Sequence, residues 1–170
     1  MQFIKYYIYL RFIYRRLINL HIVYHCVSGC HSSSTAAAIH LGLLPLDYKP
    51  SYHDLINVPF YDQLEERDRG KLIERGIDSQ GNKVYTLGRK YAAHLVLPAV
   101  LDTWKAFKQN ENDLLLVNTE YCVNGLMKFG GYLSRSLKFT NIGRPIIGDG
   151  TLRSYDNIAN IVKNTKGSLN

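Results

Sequence analysis

The chain has 170 residues, of which 46% are hydrophobic and 21% charged, an ordinary balance that excludes disordered and fibrous classes and allows one sizeable core. The net charge of +7 is unevenly placed: the first 20 residues hold four basic side chains and no acid, which leaves +3 on the rest. Because that charge is mild and no aromatic RNA-binding signature is present, the sequence argues against a nucleic-acid partner. Three cysteines without a secretory signal predict a reducing, cytoplasmic location rather than a disulfide framework.

Residues 1–20 form an extension of aromatic, aliphatic and basic residues. Its charges, Lys5, Arg11, Arg15 and Arg16, interrupt every apolar run, so we predict no transmembrane segment. Two interpretations stay open for it: a start-site artefact written in the residues of AT-rich codons, or a basic aromatic helix at a membrane surface. We therefore divide the chain into this extension, a single α/β domain over 21–166 and a tail over 167–170.

The most informative run begins with a short β-branched and aromatic strand over 22–24. A loop of small polar residues, Ser28 to Ser34, follows it, and an Ala-rich helix is predicted over 35–44. Strand, small-residue loop and helix in this order direct backbone N–H groups and a helix N-terminus at an anion. The run therefore predicts a phosphate or a similar anionic group as ligand.

The later elements alternate between helix and strand. In chain order we predict a helix over 51–64 that Pro59 bends or ends, a β-hairpin of 71–77 and 83–87 around the turn 78–82, a helix over 89–109, a buried strand over 113–118, a helix over 124–137, a strand within 139–147 and a last helix over 155–163. Helical crossovers between strands indicate an α/β fold with three layers. We expect a mainly parallel sheet with helices on both faces, a P-loop-like first strand–loop–helix, and the hairpin.

Ligands of such sheets bind beyond the carboxyl ends of the strands. We therefore expect the loops 28–34, 119–124 and 143–151 to gather at one edge of the sheet. Arg144, directly before Pro145, is the basic residue there that is best placed to contact an anion through two hydrogen bonds. Arg135 we expect to be a surface residue.

The loop differs from a Walker A motif, which needs a second glycine and a lysine. Here His31 takes the place of the cation, and Ser32 and Ser33 take that of the hydroxyl. The apolar run that ends at Asn118 also lacks, at its end, the acid that would hold magnesium through its hydroxyl partner, which argues against an NTPase. Two interpretations remain: anion binding by the loop N–H groups and hydroxyls, or serines that only cap the helix.

Cysteines and histidines form a second constellation, namely His25, Cys26, Cys30, His31, His40 and Cys122. Such ligands suit zinc, but neighbouring residues of a strand face opposite ways, so His25 and Cys26 do not enter one site easily. A thiol at Cys30, close to a helix N-terminus and to His31, is the other chemical alternative. We assign no metal ligands from the sequence.

Several motifs in order resemble a small bacterial family known as domain of unknown function 3189. They are Val23–Cys26, Gly29 with His31–Ser33, Ala36–Pro45, Gly81–Tyr85 with Leu87–Arg89, Gly130–Arg135 and Ile142–Pro145. The resemblance spans about residues 21–166, and members begin near the first strand, so the extension has no counterpart. The family loop tends toward Gly-Gly-Thr-His-Ser-Ser, from which Ser28 and Cys30 depart. The resemblance therefore shifts weight from Cys30 to Gly29, His31, Ser32 and Ser33, and it implies no particular activity.

We expect a cytoplasmic α/β protein that binds a phosphorylated or other anionic small molecule. Its predicted ligand-binding residues are Gly29, His31, Ser32, Ser33 and Arg144. A non-enzymatic regulatory or protein-interaction domain is the alternative, and a zinc or reactive-thiol site is the third. The sequence specifies no reaction, cofactor or protein partner.

Overall fold

A computed structural model describes residues 19–107 and 109–169, which form an α/β fold. These residues contain four strands and six α-helices: β1 His21–Cys26, α1 Ser32–His40, α2 Tyr52–Ile56, β2 Leu72–Ile77, β3 Lys83–Gly88, α3 Ala93–Ala106, β4 Leu114–Asn118, α4 Gly125–Gly131, α5 Thr140–Arg153 and α6 Tyr155–Leu169. A π-helix, Tyr132–Ser136, connects α4 to α5, and short 3₁₀ turns lie at Glu66–Asp68, Glu111–Asp113 and Glu120–Cys122. The predicted α/β class is confirmed. The expectations for residues 1–18 lie outside the described residues.

The four strands form one mixed sheet in the order β2-β3-β1-β4. β1 lies inside the sheet and pairs parallel with β3 and β4, so that Val23 is level with both Tyr85 and Leu116. β2 pairs antiparallel with β3, which confirms the predicted hairpin. The expected mainly parallel sheet is corrected to a mixed one, because the hairpin places an antiparallel strand at its edge.

Helices cover both faces of the sheet. Since alternate residues of β1 point to opposite sides, this strand contributes side chains to a core on each face. Ile22 and Tyr24 belong to the larger core, which they form with residues of α1, α5 and α6. Val23 belongs to a smaller core on the other face, where α3 packs with half-exposed side chains. No helix of the described residues is long and apolar enough to cross a membrane.

The strand predicted within 139–147 and the loop predicted over 143–151 are wrong, because this segment is helix α5. Its glycines allow close packing on the preceding helical segment instead of forming a turn. A Cβ added to Gly143 would lie 2.5 Å from Ser134 N, and one added to Gly150 would lie 2.8 Å from Met127 N. Pro145 lies in the second turn of α5, where it costs one backbone hydrogen bond.

The other elements match the predictions in type and differ at their ends. α1 begins three residues earlier than predicted and ends at His40, and α2 ends at Ile56, before Pro59. α3 is shorter than the predicted 89–109, although Pro98 lies within it. α6 continues to Leu169, beyond the predicted 155–163.

A buried chain of hydrogen bonds joins β1, α1 and the hairpin turn. Tyr24 Oη lies 2.7 Å from His40 Nδ1, and His40 Nε2 lies 3.0 Å from Asp78 Oδ2. Asn82 donates to the same carboxylate from its backbone and its side chain. Because a carboxylate only accepts, His40 donates from Nε2. Burial lowers the pKa of His40, which favours the neutral imidazole, and in that form Nδ1 accepts from the Tyr24 hydroxyl.

We predict that His40 makes the fold less stable in weak acid. Its pKa in the folded chain lies below the unfolded value of 6.5, so the unfolded state gains a proton first as the pH falls through that value. Chemical unfolding at pH 7 and pH 5 should show a smaller loss of stability in His40→Gln than in the wild type.

The control is His53→Gln, which changes an exposed histidine. This variant should keep the wild-type dependence on pH. An equal loss of stability in wild type and His40→Gln would contradict the neutral, buried role of His40.

Candidate functional site

The carboxyl ends of β1, β3 and β4 lie at one edge of the sheet, where the loop over 27–31 begins. The Thr119 N–H donates to His25 O at 2.9 Å, and Ser32 Oγ lies 3.1 Å from Thr119 Oγ1. These contacts join the loop after β1 to the segment after β4. The expected meeting of 28–34 with 119–124 is therefore confirmed.

Close contact with the end of β3 requires glycine at position 29. Its φ is +78°, and a Cβ at this position would lie 2.6 Å from Gly88 N. The contact is mutual, since a Cβ on Gly88 would lie 2.5 Å from Ser28 O. Only glycine fits both positions without moving backbone, so Gly29 allows the loop to pass directly over the β3 terminus.

The sulfur of Cys26 occupies the inside of the loop. Gly29 N–H donates to Sγ at 3.2 Å, and Ser33 Oγ lies 3.2 Å from the same atom. Burial raises the pKa of Cys26, but hydrogen bonds from the Ser33 hydroxyl and N–H outweigh it and lower the pKa. His31, which precedes the first residue of α1, makes no side-chain cap hydrogen bond. The cysteine sulfur therefore accepts at the helix start, where the capping interpretation expected serine oxygens.

The serines of the loop are buried and directed into the protein. Ser32 and Ser33 are each 0% exposed, and their hydroxyls contact Thr119 and Cys26. Ser34 Oγ is also buried, and within the described residues it makes no hydrogen bond. Ser28 is half-buried, so its hydroxyl lies nearest to the surface.

His31 forms a buried ion pair with Asp62. Its Nε2 lies 2.9 Å from Asp62 Oδ1 and 3.6 Å from Cys30 Sγ, while Nδ1 lies 3.3 Å from Ser28 Oγ. Burial alone would lower the pKa of His31, but Cys30 and Asp62 outweigh it and raise the pKa to about 10. The same pair lowers the pKa of Asp62 against the effect of burial.

Two arginines and a serine complete the surroundings of Asp62. Ser134 donates to Oδ2 at 2.6 Å, and Arg144 Nε lies 3.5 Å from that oxygen. Arg135 Nη1 donates to the Asp62 backbone carbonyl at 3.2 Å. Arg144, predicted from the sequence, thus approaches Asp62, the ion-pair partner of His31, from helix α5, and the Arg144 side chain stays 40% exposed.

Arg75 holds the loop and the Asp62 segment together. Its guanidinium donates to Thr86 Oγ1 at 2.7 Å, to Pro59 O at 2.7 Å and to Gly29 O at 3.3 Å. It also lies over the ring of Phe60, 4.7 Å from the centroid. No local motif in the sequence marks Arg75 or Asp62, so neither residue is among the predicted site residues.

The cysteine and histidine constellation separates into different places. His25 accepts a hydrogen bond from Arg89 Nε at 2.9 Å, on the sheet face opposite Cys26, and burial and Arg89 lower the pKa of His25 to about 4. Burial alone raises the pKa of Cys122. Of the six residues, Cys30 and His31 belong to a group of three with the spacing of metal ligands, and Asp62 is its third member.

We predict that Gly29→Ala and Gly88→Ala each destabilise the fold by about 1–3 kcal/mol, the usual cost of overpacking. The added methyl group would meet backbone atoms at 2.6 Å or closer, which side-chain rotation cannot relieve. Urea unfolding measures the change in free energy. Gly125→Ala is the matched control, since a Cβ there meets nothing within 4 Å. Equal stability of Gly29→Ala and Gly125→Ala would contradict the packing argument.

Comparison with known proteins matches the chain to a family model. No curated protein and no solved structure matches the chain. The model of the family described as protein of unknown function (DUF3189) matches residues 21–167. This range includes the whole sheet, the loop over 27–31, and Asp62 with the residues that contact it. The match covers most of the chain and agrees with the motifs of the sequence. The chain therefore belongs to the DUF3189 family.

Proposed function

We propose that the chain binds a phosphorylated or other anionic small molecule at the protein surface beside the loop 28–34. Arg144 and Arg135 are the contacts for the anion, and the half-buried Ser28 hydroxyl is a further donor. Gly29, Ser32 and Ser33 shape the loop in this proposal, and His31 lies directly beneath it. We assign no reaction and no cofactor to the site.

The convergence of two half-exposed guanidinium groups on one residue carries the proposal: Arg144 lies beside the Asp62 carboxylate, and Arg135 donates to the Asp62 backbone carbonyl. Arg135 and Arg144 come from different helical segments and both contact Asp62. Asp62 already pairs with His31 and accepts from Ser134. Two arginines with one shared and already paired acid leave an excess of positive charge at the surface, which favours an anion.

The alignment of Arg144 supports the same proposal. Its buried Nε is 3.5 Å from Asp62 Oδ2, close enough for an ion pair, although this atom makes no hydrogen bond to any described residue. The Arg144 side chain stays 40% exposed, and a planar guanidinium at the surface is suited to a two-point contact with phosphate or carboxylate.

We propose that the protein is located in the cytoplasm. The three cysteines of the chain are all buried and free. Free thiols are typical of reducing compartments.

We predict that an anion binds the wild type and that Arg144→Gln weakens it by about 10-fold or more, since a hydrogen bond between charged groups contributes about 1.5–3 kcal/mol. Isothermal titration with inorganic phosphate, sugar phosphates and nucleotides measures the dissociation constant. Arg135→Gln should weaken binding in the same direction. Added salt should weaken wild-type binding as well, because the attraction is electrostatic.

Arg153→Gln is the matched control, because Arg153 lies on the same helix, is exposed and pairs with Asp149. It should bind the anion as the wild type does. Absence of binding by every anion tested, or an equal loss in Arg153→Gln, would overturn the proposal. The regulatory or interaction-domain alternative would then be favoured.

A further inference from the structure

We propose that Cys30, His31 and Asp62 form a binding site for a divalent transition-metal ion, with zinc as the best fit. The proposal does not depend on the anion site, because it uses side chains buried beneath that surface. Cys30, His31 and Asp62 are 0%, 6% and 2% exposed. The sequence leaves a zinc site open as an alternative but does not indicate Asp62 as a ligand.

The distances between the three ligand atoms fit a tetrahedral ion. Cys30 Sγ, His31 Nε2 and a carboxylate oxygen of Asp62 all lie within 4.8 Å of one another. Zinc bonds of about 2.0–2.3 Å place neighbouring tetrahedral ligands about 3.5 Å apart. The 3.6 Å between Sγ and Nε2 already matches, and the 2.9 Å between Nε2 and Oδ1 needs only a small opening.

A shared nitrogen is the second argument. His31 Nε2 faces both Cys30 Sγ and Asp62 Oδ1, yet it carries at most one proton. One N–H cannot make two well-aligned hydrogen bonds to acceptors on separate residues. A metal ion in the position of this proton would bind the nitrogen, the sulfur and the oxygen together.

The remaining polar atoms of the His31 and Asp62 side chains, Nδ1 and Oδ2, have hydrogen-bond partners that would orient these two ligands toward the ion. His31 Nδ1 lies 3.3 Å from Ser28 Oγ, which fixes the ring. Asp62 Oδ2 accepts from Ser134 at 2.6 Å, which leaves Oδ1 for the ion. Ligating histidines and carboxylates have such outer hydrogen bonds in known metal sites.

The chemical types of the three ligands indicate which metal ion would bind. A thiolate and a carboxylate together neutralise a divalent cation, and sulfur with imidazole nitrogen favours zinc or a similar transition metal over calcium and magnesium, which require oxygen ligands. Cys26 offers no comparable site, because backbone and hydroxyl donors surround its sulfur. Within the described residues, Cys30, His31 and Asp62 are the one group of three with this spacing.

The test uses the full chain freed of metal with a chelator and then titrated with zinc in a buffer without phosphate. We expect one zinc ion per chain by calorimetry and elemental analysis. Cobalt substitution should give the near-ultraviolet charge-transfer band of a cobalt–thiolate bond. Cys30→Ser should abolish this band and weaken zinc binding by more than about 100-fold, beyond the 10- to 100-fold loss typical of outer-shell changes.

Cys122→Ser is the matched control, because Cys122 is another buried free cysteine. It should keep both the band and the affinity. Binding without a thiolate band in the wild type, no zinc binding, or equal affinity in Cys30→Ser would overturn the proposal.

If circular dichroism shows that Cys30→Ser does not fold, a second variant tests the site. Ser134→Ala leaves all three ligands in place and should weaken zinc binding by about 10- to 100-fold, since Asp62 loses its outer hydrogen bond. In that case a missing band in the wild type or unchanged affinity in Ser134→Ala would overturn the site. Anion binding is measured on zinc-free protein, so either proposal can fail alone.

Discussion

The buried carboxylate of Asp62 determines how the segments beyond the carboxyl ends of the strands are arranged. Its side chain is fully inaccessible, and an uncompensated buried charge would cost several kcal/mol. Its compensation comes from three separate parts of the chain: His31 after β1, Ser134 in the π-helix, and Arg144 in α5. Because each partner must stay within contact of one carboxylate, the pairing fixes these three segments relative to one another.

The backbone around Asp62 would not hold this position unaided. Phe60 and Asp62 have φ values of 63° and 51°, in the left-handed region that costs a residue with a side chain about 1–2 kcal/mol. Arg75 offsets this cost through its hydrogen bond to Pro59 and its contact with the Phe60 ring. The Asp62 N–H donates to Cys30 O at 3.1 Å, so the strained segment and the loop stabilise each other.

Local patterns in the sequence were enough to predict β1, the hairpin and β4, because alternation, apolar runs and turn residues act within a few positions. α5 was mistaken for strand and loop since its glycines indicate turns locally, whereas their function is contact with α4, as Gly150 against Met127 shows. Asp62 could not be found in this way. Its partners His31 and Ser134 lie 31 and 72 residues away in the chain, and only the tertiary fold brings them together.

The same loop holds two cysteines whose different chemistry follows from their partners. Cys26 receives N–H and hydroxyl donors, so its sulfur serves as the acceptor at the start of α1. Cys30 faces an imidazole and, beyond it, a carboxylate, two groups of the kind that can bind a metal ion. A phosphate loop of the Walker type turns its N–H groups outward to the ligand. Here the Gly29 N–H is directed inward at a sulfur, so this donor does not face a ligand, and the proposed anion contact depends on the side chains of Arg135 and Arg144 instead.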